Sequence, residues 1–281
     1  MHRVASRIPI AISRRAPINR DRVLLSKTSS QGLDQRGAMN LDFQREYWES
    51  SLQYPDWYKR LEKELRQLFF PVVHNDARLK AFRNKVYDLI EELLAGDKIP
   101  LAESGPDLDR DRQPVDTVVI HHTEEDPGMS LGKLSAIGLV RQYGFEYLEK
   151  DVSGDRVGGK PVWSGHFREG KMVFFAYHWL IRPDGRAERL LEDAYIGWHA
   201  GNWDTNTRST GIALSGNYEE AIPPFAQIEA AAKVIKENYP QVTILGHREV
   251  NKVESCTCPG AYFLTNWKET LSSRVHSNFG I

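Results

Sequence analysis

Ile244-Leu245-Gly246-His247-Arg248-Glu249-Val250, followed by Cys256-Thr257-Cys258-Pro259-Gly260, is the stretch on which the reading of this 281-residue chain turns. An apolar run, Val242 to Leu245, delivers a histidine to its own end. Eleven residues after His247, Cys258 arrives just before a Pro-Gly turn. Imidazole and thiolate together suit Zn²⁺ better than Mg²⁺ or Ca²⁺. Two ligands do not make a site, so a third is sought upstream. Val118-Val119-Ile120-His121-His122-Thr123 has the same design, a strand that ends in histidine. Three ligands from two strand ends and a loop leave a tetrahedral zinc one open position, the catalytic arrangement.

These strands imply an α/β domain. Asp116 to His121 is nearly all β-branched, as in a strand buried on both faces. Lys171 to Ile181 reads as a strand, Arg182 to Arg186 as a turn, and Ala187 to Leu191 as the return of a hairpin. Ser209 to Ser215 is a further short strand. Pro224, Phe225, Ile228, Ala232 and Ile235 mark a helix that stops before Pro240. Leu131 to Glu149 reads as helical, with Ser130 as cap. Strands interleaved with helices give one central mixed β-sheet flanked by helices.

Upstream, residues 41–100 form a helical extension. Trp57, Leu61, Leu65 and Leu68 recur at helical spacing, as do Leu79, Phe82, Val86, Leu89 and Leu93. Asn75 or Asp76 is the expected cap of the second helix and Gly96 its stop. Two such stripes must pack on each other and on the rest of the chain. Residues 101–114 are polar and broken by proline, a linker. Residues 115–275 hold the site. Asp151 to Phe167 is glycine-rich and contains Trp163 and His166, read as part of a substrate wall.

Residues 1–40 are basic and read as a tail. Arg-rich, acid-poor N-termini serve as organelle presequences; the alternative is a tail ahead of a start at Met39. No apolar run follows the basic residues, so a secretory signal of the usual kind is not expected, and the compartment stays open between cytoplasm and an unconventional exit. A formal net charge of −1 gives no reason to expect nucleic-acid binding. The longest apolar run, Met172 to Ile181, is too short to span a bilayer. Two cysteines two positions apart exclude a disulfide framework.

Ile120-His121-His122-Thr123, Ala176-Tyr177-His178-Trp179, Trp198-His199-Ala200-Gly201, Gly246-His247-Arg248-Glu249-Val250 and Cys258-Pro259-Gly260 occur in that order. The set resembles the zinc-dependent N-acetylmuramoyl-L-alanine amidases (amidase type 2), which share a fold with phage amidase-type lysozymes and animal peptidoglycan recognition proteins. The resemblance implies that His121, His247 and Cys258 hold zinc, with His122 on the opposite strand face; a one-residue register slip would exchange the two histidines. It implies that Tyr177 faces the metal and assists catalysis, since Gly211 to Ser215 offers no carboxylate base. It gives His199 a contact with substrate or the tetrahedral intermediate, and Asn202, Trp203 and Asn206 suit a glycopeptide or, equally, a turn. The family usually carries lysine or threonine two residues before its third ligand. This chain has Cys256, a weak donor, so either Thr257 or a substrate group takes that part or turnover is slow, and Cys256 is also a competitor of Cys258 for the metal.

The resulting expectation is hydrolysis of the amide between N-acetylmuramic acid and L-alanine in peptidoglycan or muropeptides. The alternatives are a peptidoglycan-binding module without turnover, a metal amidase acting on another small amide, and a structural zinc with His122 or Cys256 as fourth ligand.

Overall fold

Strand β1 (Thr117–His122) is buried at all six positions, because it has a parallel neighbour on each side. Its flanking strands are β6 (Ser209–Leu214) and β7 (Thr243–Gly246). β4 (Trp179–Ile181) runs parallel to β6, and β5 (Ala187–Arg189) closes the edge antiparallel to β4. The sheet order is β5-β4-β6-β1-β7, so the sheet is mixed, as expected. These relations come from a computed structural model that describes residues 42–69, 76–149, 157–251 and 256–277. The N-terminal arginines, Asn75 and the 151–156 part of the glycine-rich loop lie outside the described residues.

The two faces of the sheet carry different cores. Val118, Ile120, Ile212 and Leu214 pack on one side against helix α7 (Phe225–Asn238), helix α9 (Lys268–His276) and the rings of Phe263 and Trp267. On the other side Leu180 and Ala213 meet Phe175, Leu190, Leu191, Met129 and Leu134. Leu134 belongs to α5 (Leu131–Gly138), which Ser130 caps by accepting from the Lys133 N–H at 2.9 Å. The helix then widens to π-type turns over Leu139–Gly144.

The upstream helices share a third core with this unit. They are α1 (Arg45–Leu52), α2 (Trp57–Arg60), α3 (Glu62–Phe69) and α4 (Ala77–Ala95). Trp57, Leu61, Leu65, Leu68, Phe82, Val86 and Leu93 are buried in one cluster with Leu139, Val140, Tyr143 and Phe174. The first expected helix is therefore three short ones, because Pro55 interrupts it before Trp57 and Leu61 ends α2. Asp76 caps α4, accepting from Arg78 and Leu79 N–H. Gly96 stops it, although the left-handed residue is Asp97, at φ 54°. Among the described residues no helix is long and apolar enough to cross a membrane.

Two expectations need correction. Residues 171–181 do not form one strand. β2 (Phe167–Arg168) and β3 (Lys171–Met172) pair with each other around Glu169 and Gly170, both at positive φ. The segment to His178 is then pinned by other groups: Val173 N–H bonds to His166 O, Phe174 N–H to Ser135 Oγ, and His178 N–H to Gly211 O. The polar stretch at 101–114 is likewise no free linker. Arg112 sends its guanidinium to the carbonyls of Asp193, Asn206, Thr207 and Ser209. Asp109 accepts from the Ile196 N–H at 2.6 Å and faces His166 Nε2 at 3.2 Å.

His178 shows what this stitching costs in acid. It is fully buried, its Nδ1 accepts from the Gly211 N–H at 3.1 Å, and its Nε2 donates to Tyr195 O at 3.0 Å. Burial pushes its pKa down to about 3. A depressed histidine contributes stability that is present above the unfolded value of about 6.5 and lost as pH falls towards the folded one. Lowering the pH from 7 to 5 should therefore cost about 2 kcal/mol from this residue. Urea midpoints at both pH values for the wild type and His178→Gln check this: the variant should show the shallower dependence.

Candidate active site

The register of β1 against β7 brings the first two candidate ligands together. Ile120 pairs with Gly246, so the next residues, His121 and His247, stand side by side with ring centroids 4.6 Å apart. His247 opens the single-turn helix α8 (His247–Val250). Glu249 holds that turn by accepting from the Gly246 N–H at 2.7 Å, and Lys268 pairs with the same carboxylate. Gly246 cannot carry a side chain, since a Cβ there would lie 2.6 Å from the Phe263 ring and 2.9 Å from Pro259. The turn that presents Cys258 is fixed by the Arg248 N–H on Cys258 O and the Gly260 N–H on Thr257 O. Cys258 Sγ lies 3.8 Å from His121 Nδ1, and one donor atom each of His121, His247 and Cys258 fall within 4.8 Å of one another.

The remaining nitrogens fix the tautomers. His121 Nε2 lies 3.0 Å from His199 Nδ1, and His199 Nε2 lies 3.2 Å from Ser209 Oγ. With His121 Nδ1 turned to the cysteine, its Nε2–H donates to His199, whose own Nε2–H donates to the serine. His247 Nε2 lies 3.1 Å from the Asn251 amide nitrogen, and its Nδ1 lies 3.6 Å from Cys256 Sγ, so Nδ1 is the atom turned to the donor cluster. Burial holds His121 and His199 well below the usual imidazole range, with neighbouring histidines adding to it, and brings His247 down to about 4. All three are thus neutral, the form that ligates. Burial raises the Cys258 thiol well above its ordinary value, so it keeps its proton here and would release it on binding a cation. A nitrogen, nitrogen, sulfur set of this spacing fits zinc.

The other expected residues fall at different depths. The Tyr177 ring lies 5.0 Å from that of His121, on the irregular segment just before β4. Burial, then the nearby cysteines, raise its phenol, which keeps it in the protonated form that can donate a hydrogen bond. His199 is buried, with both nitrogens engaged as described and neither left for a substrate. Asn202 caps α6 (Trp203–Arg208), accepting from the Thr205 N–H at 3.4 Å. Trp203 is exposed, edge-on to Trp198 at 6.2 Å, and Thr257 is exposed. Cys256 is half-buried, its Sγ 3.6 Å from His247 Nδ1. His122 turns to the opposite face, where its Nδ1 accepts from the Tyr218 N–H at 2.9 Å. Its protonated Nε2 therefore faces Glu124 and Glu219, at 3.6 and 3.7 Å, an arrangement for a proton rather than a metal ion. In the glycine-rich loop, His166 is buried against Asp109 and Trp163 donates to Pro106 O.

The family model described as N-acetylmuramoyl-L-alanine amidase matches residues 111–261, more than half of the chain. The chain belongs to this amidase family. The match begins at the Arg112 strap and ends just past the Cys258 turn. Among similar curated proteins is a peptidoglycan-recognition protein of Drosophila melanogaster, 25% identical over 170 residues, covering 58% of this chain and 79% of that protein. Another peptidoglycan-recognition protein, from Drosophila simulans, is 33% identical over 104 residues, covering 33% and 54%. Among solved structures, the endolysin N-acetylmuramoyl-L-alanine amidase LysCS from Clostridium intestinale URNW superposes with a TM-score of 0.43 at 21% identity, covering 64% of this chain and 94% of that one.

Ser209 and Gly211, contributors to this amidase-family site, gave no signal in the sequence, and Asn206 takes a part other than the glycopeptide contact expected of it. Ser209 is an ordinary strand residue until the fold sets it beneath His199. Asn206 Oδ1 accepts from the N–H groups of His199 and Ala200, at 3.2 and 2.8 Å, and so shapes the loop that presents His199. Gly211 lets the same ring lie flat on β6, because a Cβ there would be 2.7 Å from His199 Cγ. Gly211→Ala should therefore overpack the site and cost about 1–3 kcal/mol. Chemical denaturation measures this, and an unchanged midpoint would contradict the packing described.

Proposed function

We propose that this chain is a zinc amidase that hydrolyses the bond between the lactyl group of N-acetylmuramic acid and L-alanine in a peptidoglycan stem peptide. The observation that carries the reading is the convergence of two imidazoles, the buried His121 and the half-buried His247, and one thiol, with the Tyr177 phenol beside them. His121, His247 and Cys258 would hold the ion. Zinc bound there supplies Lewis-acid polarisation of the amide carbonyl and a nucleophile at neutral pH. Tyr177 acts as a hydrogen-bond donor to the oxygen that gains charge as the carbonyl is attacked. Burial raises its pKa, which favours the donor's part over that of a base. The series Ser209, His199, His121 acts on orientation: each ring is held in one tautomer, so His121 offers Nδ1 without rearrangement. His199 is thus a positioning residue.

The membership in the family supports the substrate class, and the chemistry of the donors supports hydrolysis. Cys256, where a stronger donor is expected, favours a second reading in which the protein binds muropeptides without turnover.

The decisive experiment is mass spectrometry of a defined muramoyl-peptide incubated with the full chain, with and without a zinc chelator. Free stem peptide should appear only without chelator. Intact substrate, with bound zinc verified on the same sample, would overturn the amidase reading for that substrate and support the binding module. Tyr177→Phe should lower kcat about 10²–10³-fold, with KM little changed. Ser209→Ala should weaken zinc about 10–100-fold, read by chelator competition.

A further inference from the structure

We propose that Cys256 is a fourth, displaceable ligand of the same metal, a thiolate that closes the site at rest and leaves when substrate enters. The inference rests on the zinc reading above.

Geometry is the first argument. Cys256 Sγ lies 3.6 Å from His247 Nδ1, the nitrogen that faces the donor cluster, since Nε2 is next to Asn251. Zinc bonds of about 2.0–2.1 Å to nitrogen and about 2.3 Å to sulfur, at tetrahedral angles, set two such donors roughly 3.5 Å apart. Cys258 and His121, at 3.8 Å, show nearly the same spacing on the other side. Cys256 nevertheless stands outside the trio whose donor atoms all lie within 4.8 Å of one another. It is therefore next to the site rather than locked into it.

Local backbone and chemistry point the same way. Residues two apart in extended chain project to one side. Between the two cysteines Thr257 is exposed, while both thiols are partly buried. A thiol is a poor donor to an oxyanion but a strong ligand to zinc. On ligation the S–H proton passes to solvent and a sulfur–metal bond replaces a water ligand; on release the thiolate takes a proton back. Closed, the metal has four protein donors and no open position.

Cobalt(II) replacement of zinc in the full chain tests this, because sulfur-to-cobalt charge-transfer absorption grows with the number of thiolates. The wild type should show the intensity of two thiolates, and Cys256→Ser, still binding one cobalt, about half of it. A second measurement on the wild type alone guards against a variant that fails to fold: alkylation should be slow at both thiols in the metal-loaded protein. Adding a defined muramoyl-peptide should make one thiol, Cys256 by peptide mapping, react at the metal-free rate. Equal absorption in wild type and variant, or a Cys256 that alkylates at one rate with and without metal, would overturn the proposal. If neither protein gains any charge-transfer band, the metal reading itself falls, and the latch with it. A one-thiolate band sinks the latch alone.

Discussion

Everything at this site depends on one backbone register, Ile120 opposite Gly246 in the parallel pair of β1 and β7. Parallel strands end on the same side of a sheet, so each delivers its next residue to one edge, as ligands are held in other open sheets. A shift of one residue would exchange His121 for His122 and turn the donor into the opposite core. What locks the register is the burial of the remaining strand. Val118 and Ile120 must meet α7 and α9, and the Phe263 ring against Gly246 leaves no room to slide. The geometry of the donor cluster is thus secured by apolar packing some distance from the donors.

That burial sets the electrostatics. Imidazoles removed from water lose their protons, and the thiol keeps its own, so the pocket is a group of neutral donors ready for a cation. Neutral rings must also be held in the right tautomer, and here the Ser209 hydroxyl does so through His199. The arrangement resembles the use of an outer hydrogen bond to orient a ligating histidine, with imidazole where a carboxylate often stands. A carboxylate would bring charge into the pocket; a neutral ring orients without it.

The sequence made the two strand-terminal histidines and the cysteine visible, since an apolar run ending in His247 and a turn at Cys258 are local patterns. Parity on β1 was not visible: whether His121 or His122 faces the donors depends on which strands lie alongside, a non-local fact. The same holds for 171–181, where an apolar run has the look of one strand. Its hydrogen bonds go instead to Ser135, His166 and Gly211, far apart in the chain. Pro55 did mark a break, but helical spacing continued past it and concealed the division into α1, α2 and α3. The polar 101–114 stretch has the composition of a linker, and nothing local in it says that Arg112 would find four carbonyls.

Those four carbonyls explain how the flanking segment and the site depend on one another. Arg112 grips Asn206, Thr207 and Ser209 at the start of β6, and Asp109 grips Ile196. The loop between those points carries Trp198 and His199. The upstream helices bear on this loop from the other side: Tyr143, in the core they share, stacks on Trp198 with ring centroids 5.1 Å apart and planes 19° from parallel. An exposed loop would let His199 wander, and a relay of two hydrogen bonds tolerates little of that. The helices and the strap therefore belong to the physics of the site although they contribute no donor: they remove the freedom that would otherwise blur the position of His121.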